Sequence, residues 1–113
     1  MATLISKFIT KTIMKIIGNK CIVRTYSAGV FFGSVVEKNE KEIFLKDARR
    51  IWKWVGAASL SEIAMRGVSK PDECKFPCPV DEVWLSEVIE IIPCTEKAIQ
   101  SIEGVPEWTA HLK

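Results

Sequence analysis

The hydrophobic period of this chain changes sharply, and early. Leu4, Ile5, Phe8, Ile9, Ile13, Ile16 and Ile17 recur at i, i+3 and i+4, the spacing of one helix face, with Lys7, Lys11 and Lys15 on the other side. After Gly18-Asn19 the apolar residues alternate instead, which is the period of a half-buried strand. A chain of 113 residues with this switch can bury one modest core but not two. The expected organisation is an N-terminal amphipathic helix or extension over residues 1–17, then a single small β-rich domain over residues 18–113. Met14 is an alternative start, which would leave the residues before it as an extension. The basic stripe suits a membrane-surface or partner-binding helix, and equally a helix packed on its own domain or on a neighbouring subunit.

The β pattern runs in short pieces between turn residues. Strands are expected over 20–26, 30–37, 42–46 and 49–55, separated by Ser27-Ala28-Gly29, by the polar loop 38–41 and by a short break after Lys46. Gly33, inside the second strand, marks a bend or bulge. Three successive hairpins with a kink in the second strand predict a sheet rolling towards a small barrel. Ser59 and Glu62 have capping-box spacing ahead of a short helix with Leu60, Ile63 and Ala64 inward and Gly67 at its end. Residues 68–81, with Pro71, Pro77 and Pro79, read as irregular, and 83–92 as one long final strand. Thr95 caps a closing helix whose Ala98, Ile99 and Ile102 face inward, and Gly104 ends it. The fold class is α+β, mainly β: a small bent antiparallel sheet or barrel with two or three peripheral helices. Trp108 lies in the tail.

The chemistry concentrates in Lys46-Asp47-Ala48-Arg49-Arg50-Ile51-Trp52-Lys53-Trp54, where two of the four tryptophans alternate with cations. Strand alternation puts Arg50, Trp52 and Trp54 on one face, and Arg49, Ile51, Lys53 and Val55 on the other. An open indole stacks on a base, and arginine grips phosphate with two parallel hydrogen bonds. The competing reading makes both tryptophans core and leaves both arginines solvated or paired with Glu37, Glu40 or Glu42. Arg24 and Tyr26 share a face of the first strand and either join this site or are ordinary strand surface. The small residues of Trp54-Val55-Gly56-Ala57-Ala58-Ser59-Leu60 lead into a helix whose free N–H groups suit an anion, with Ser59 either at that site or simply a cap. The candidate ligand-binding set is Arg24, Tyr26, Arg49, Arg50, Trp52, Trp54 and Ser59.

Other classes find little support. A net charge of +2 is too small for a protein that coats nucleic acid through many phosphate contacts. Cys21, Cys74, Cys78 and Cys94 follow no secretory leader, so reduced thiols and a cytoplasmic location are expected. No stretch approaches the ~20 apolar residues of a membrane span. The C-x3-C pair Cys74/Cys78 has no second pair, with Cys21, Cys94 and His111 scattered, so neither metal nor cofactor is expected. G-x-S-x-G, P-loop and H-E-x-x-H signatures are absent, and Glu87 and Glu90 would point to opposite faces of a strand. The expected function is binding without chemistry, and the apolar N-terminal helix and abundant Ile suggest a homo-oligomer.

Two resemblances add to this. The run from Val23 to Val36 and the segment Glu42-Ile43-Phe44-Leu45-Lys46-Asp47-Ala48 resemble the strand pattern of Sm-like and other SH3-like small barrels. That likeness implies a small barrel and, in a ring, single-stranded nucleic-acid binding, although the acidic loop residue usual in Sm proteins is absent. Arg24-Thr25-Tyr26-Ser27-Ala28-Gly29-Val30, Ala48-Arg49-Arg50-Ile51-Trp52, Gly56-Ala57-Ala58-Ser59-Leu60-Ser61 and Ile89-Glu90-Ile91-Ile92-Pro93 together resemble a family of small proteins of tailed bacteriophages and prophages, a domain of unknown function. This implies a role in the infected cell's cytoplasm and brings no catalytic residues. Joined to the Arg/Trp segment, it suggests a protein that sequesters a nucleotide-like, phosphate-bearing ligand as a counter-defence. A protein-interaction or virion-associated module, contacting a host or phage protein, is the alternative.

Overall fold

The structure, a computed structural model, describes residues 16–110. In chain order its elements are β1 (Lys20–Thr25), β2 (Val30–Asn39), β3 (Glu42–Arg50), α1 (Leu60–Arg66), β4 (Val80–Leu85), β5 (Val88–Pro93) and α2 (Glu96–Glu103), with a 3-10 turn at Pro71–Glu73. The strands form one sheet in the order β4-β3-β2-β1-β5, antiparallel throughout. The α+β, mainly β class expected from the sequence is therefore the observed one. The expected N-terminal helix falls outside the described residues except at its end, where Ile16 is buried and Asn19 N–H donates to its carbonyl at 3.0 Å.

The sheet is strongly curled, and its connectivity requires this. β4 and β5 are consecutive in the chain yet occupy opposite edges, with Ser86 and Glu87 alone between them. A flat five-stranded sheet would set those edges ~19 Å apart, whereas such a connection reaches ~10 Å. The corner is pinned by Tyr26 N–H donating to Glu87 O at 3.0 Å and Val88 N–H donating to Lys41 O at 2.8 Å. Two bulges between β2 and β3 provide the bend. Phe32 pairs with Arg49 and Ser34 with Lys46, so Gly33 alone faces both Asp47 and Ala48. A second register shift falls between Val35 and Glu37. At Gly33 a Cβ would lie 3.1 Å from Ala48 Cα and 3.2 Å from Lys46 O, so any larger residue would push the two strands apart by a few tenths of an ångström.

The curl buries both faces of the central strands. Cys21, Val23, Phe31, Val35, Ile43, Leu45, Ala48 and Leu85 form one cluster with contributions from β1, β2, β3 and β4, with Val88 and Ile91 of β5 packed against it. Ile22 and Phe32 point the other way into a second cluster with Ile51, Ile63, Ala64, Phe76, Ile102 and Val105. That cluster seats the helices. Ser59 Oγ accepts from Glu62 N–H at 3.3 Å, and Glu62 Oε1 accepts in return from Ala58 N–H at 2.6 Å. Thr95 Oγ1 accepts from Ala98 N–H at 3.1 Å and donates to Met65 O at 2.7 Å, tying the start of α2 to α1.

Two strand expectations are corrected. The segments 42–46 and 49–55 are not two strands; β3 is continuous to Arg50 through Asp47, whose φ is 49°. A bulge residue slips the alternation by one, which mimics a strand end in the sequence. Beyond Arg50 the ladder stops, and residues 51–55 keep one isolated bridge, Lys53 to Lys75. The long strand expected over 83–92 is two strands, split at Glu87 with φ 57°.

Candidate functional site

The alternation expected for the Arg/Trp segment survives the end of the strand by a few residues. Arg49 and Ile51 are buried, while Arg50 is exposed and Trp52 is 65% exposed. Arg50, Trp52 and Trp54 meet along one groove of about 400 Å3 with Ile51, whose opposite wall is the turn from Ser27 to Val30. That wall is held rigidly. Thr25 N–H and Thr25 Oγ1 both donate to Gly29 O, at 3.0 and 2.9 Å, and Ala28 N–H donates to Thr25 Oγ1 at 2.9 Å.

Arg50 spans the groove. One Nη donates to Ala28 O, and the guanidinium carbon lies 4.3 Å from the centre of the Phe31 ring. No carboxylate pairs with Arg50 among the described residues. Trp54 is partly buried, its indole N–H donating to Ala57 O at 3.2 Å, so one edge is fixed while the ring lines the groove. Trp52 leans on Trp108, with centroids 5.7 Å apart and planes at 59°, and Lys75 Nζ sits 5.2 Å from the centre of Trp108. The corner thus combines two mutually tilted indoles, a guanidinium and an ammonium, a set of surfaces and charges suited to an anionic aromatic ligand.

The remaining candidates lie elsewhere. The Arg24 guanidinium donates to Glu90 Oε1 of β5 at 3.0 Å, and Tyr26, 78% exposed, sits at the corner beside Glu87; neither lines the groove. Ser59 caps α1, a helix of seven residues, and has no part in the groove. Arg49 is buried and structural. Its Nη1 donates to Ile102 O at 3.1 Å and its Nη2 to Phe76 O at 3.2 Å, with the Phe76 ring centre 5.3 Å away. Burial pushes its pKa down, and the Glu107 carboxylate partly offsets this. In the competing reading these arginines are solvated or paired with Glu37, Glu40 or Glu42; no such pair forms among the described residues, and Glu42 accepts from the Trp84 indole at 2.7 Å.

Trp108 and Lys75 are not legible as site residues in the sequence. The bridge from Lys53 to Lys75 and the one from Phe76 to Glu107 bring them to Trp52, and no local spacing encodes either. The cysteines of the C-x3-C pair diverge: Cys74 is buried, its Sγ accepting from Val55 N–H at 3.4 Å, while Cys78 is exposed. Among the described residues no cluster of three or more His, Cys, Asp or Glu can hold a metal, and no helix is long and apolar enough to cross a membrane. His111 lies outside the described residues.

Every groove-lining residue lies between Ser27 and Trp54, and a family model covers that stretch whole, matching residues 18–102. The chain belongs to the DUF6948 family, a domain of unknown function. The DUF6948 match contains all five strands and nearly all of α2, and Trp108 lies beyond it. No curated protein and no solved structure matches the chain.

Proposed function

We propose that this chain is a non-enzymatic binding protein whose Arg50/Trp52/Trp54 groove takes a nucleotide-like, phosphate-bearing ligand. The observation that carries this is an indole 65% exposed beside a guanidinium that has no carboxylate partner among the described residues. An aromatic face of this size left open costs free energy in water, and a base stacked on it recovers that cost. Arg50 already donates to Ala28 O, so a ligand phosphate meets a cation held in place. Encoded by a phage or prophage, such a protein acts in the host cytoplasm as a counter-defence, removing a nucleotide signal, and works as a homo-oligomer.

Calorimetry against cyclic and linear nucleotides tests this. At least one nucleotide binds saturably, and Trp52→Ala weakens it by ~1–3 kcal/mol, the value of one stacked base. Arg50→Ala weakens it further for phosphorylated ligands than for the bare nucleoside. Flat titrations with the whole panel would sink the proposal. A second reading, a protein-interaction module contacting a host or phage protein, is favoured by Trp84 and Ile89, each 50% exposed on the edge strands β4 and β5.

A further inference from the structure

Trp52 and Trp54 both line the groove, whereas the base of a single nucleotide stacks on only one of them. They lie two residues apart on one face, ~7 Å along an extended backbone. Trp52 is open, at 65% exposure. Trp54 packs against the core beneath the helices, and its N–H bond to Ala57 O keeps the ring from turning. Trp108 is not a clamp for a base on Trp52. Their ring centres are 5.7 Å apart with planes at 59°, and an inserted ring needs parallel planes ~7 Å apart. Trp108 instead supports Trp52 and seats a cation, with Lys75 Nζ 5.2 Å from its ring centre. Lys75 O accepts from Trp52 N–H and Lys53 N–H, both at 3.2 Å, so residue 75 is level with the step from the first indole to the second. Neither Arg50 nor Lys75 has a carboxylate partner among the described residues, and Glu107, beside Trp108 in the chain, exerts its charge on Arg49.

Along the segment cations and indoles therefore alternate: Arg50, Trp52, Lys75, Trp54. A dinucleotide with a 5′-phosphate presents the same order: phosphate, base, phosphate, base. We propose, resting on the nucleotide reading of this groove, that its ligand is a linear dinucleotide of that kind. Arg50, already oriented by Ala28 O, takes the terminal phosphate, and the first base stacks on Trp52. The Lys75 ammonium swings from Trp108 to the bridging phosphodiester, and the second base lies on Trp54. A long nucleic-acid strand would need more cations than these two.

Calorimetry on the intact chain with three probes tests the assignment: dAMP, the dinucleotide dApdA, and pdApdA, which adds the 5′-phosphate. pdApdA should bind at least ~10-fold more tightly than dAMP, since it gains a stacked base and a charged contact. dApdA should bind ~10-fold more weakly than pdApdA, and Arg50→Ala should erase that difference. Lys75→Gln should weaken pdApdA ~10-fold and dAMP by less than ~2-fold, because only the dinucleotide has a bridging phosphate. Equal affinities for pdApdA and dAMP, or equal losses of both in Lys75→Gln, would overturn the dinucleotide assignment and leave the groove as a mononucleotide site. Flat titrations with all three probes would remove the site itself and the assignment with it.

Discussion

Arg49 and Arg50 show how one peptide unit separates two roles. Strand alternation turns Arg49 inward, where it bonds the carbonyl of Ile102 in α2 and that of Phe76, and so clamps three chain segments with one planar group. Arg50 turns outward to the groove. Lysine cannot replace Arg49, because a single ammonium lacks the fork that reaches both carbonyls. Arg49→Lys and Arg49→Met should each destabilise the fold by about 2–4 kcal/mol in urea denaturation, since two buried carbonyls lose charged donors. Arg50→Ala, at an exposed position, should cost less than half as much. A loss under about 1 kcal/mol for Arg49→Met would show that water or other donors replace the guanidinium.

At the scale of elements, local chemistry is readable in the sequence and long-range geometry is not. Both helix starts and ends follow from their caps, Ser59 with Glu62 and Thr95 with Ala98, because those bonds join residues a few positions apart. β1 and β2 follow from alternation. β3 reads as two strands because Asp47 slips the alternation at the bulge, and β4 and β5 read as one because only Ser86 and Glu87, with no Gly or Pro, separate their two apolar runs. The outward set Arg50, Trp52 and Trp54 is legible for the same reason as β1, whereas Trp108 reaches Trp52 only through the bridge between Phe76 and Glu107. Gly67 tests how far the junction of the helices depends on one residue. Its φ is 80°, its N–H donates to Ile63 O at 2.8 Å, and an added Cβ would overlap the Cβ and Oγ of Ser101 in α2. Ser101 Oγ in turn accepts from Val68 N–H at 3.0 Å, so it cannot simply move aside. Gly67→Ala should therefore cost about 2–4 kcal/mol, combining backbone strain with overpacking. Ser59→Ala, which removes one cap bond, should cost nearer 1 kcal/mol by the same thermal melt.

Over the whole molecule, the curl makes β1 a strand buried on both faces, and this places two thiols where ionisation opposes folding. Cys21 is fully buried, and burial pushes its pKa from 9.0 up to about 11. Cys94, which follows the Cys21 partner Pro93, is pushed up to about 12, first by burial and then by the nearby Cys21 thiol. Both values are raised above those of the unfolded chain. The contribution of the neutral thiols is therefore intact below about pH 9 and is lost as pH climbs through the folded values. Since a tenfold change in proton affinity corresponds to ~1.4 kcal/mol, Cys21 alone should withdraw on the order of 2 kcal/mol by the top of that range. The comparison that isolates the thiols is between two chains. The Cys21→Ala/Cys94→Ala variant should be less stable at pH 7, because it leaves a cavity, yet its denaturation midpoint should fall less steeply between pH 9 and 11. Parallel alkaline limbs for the two proteins would mean that the thiols stay protonated or meet water on the β1–β5 side, and burial by the curled sheet would then not be what governs stability in base.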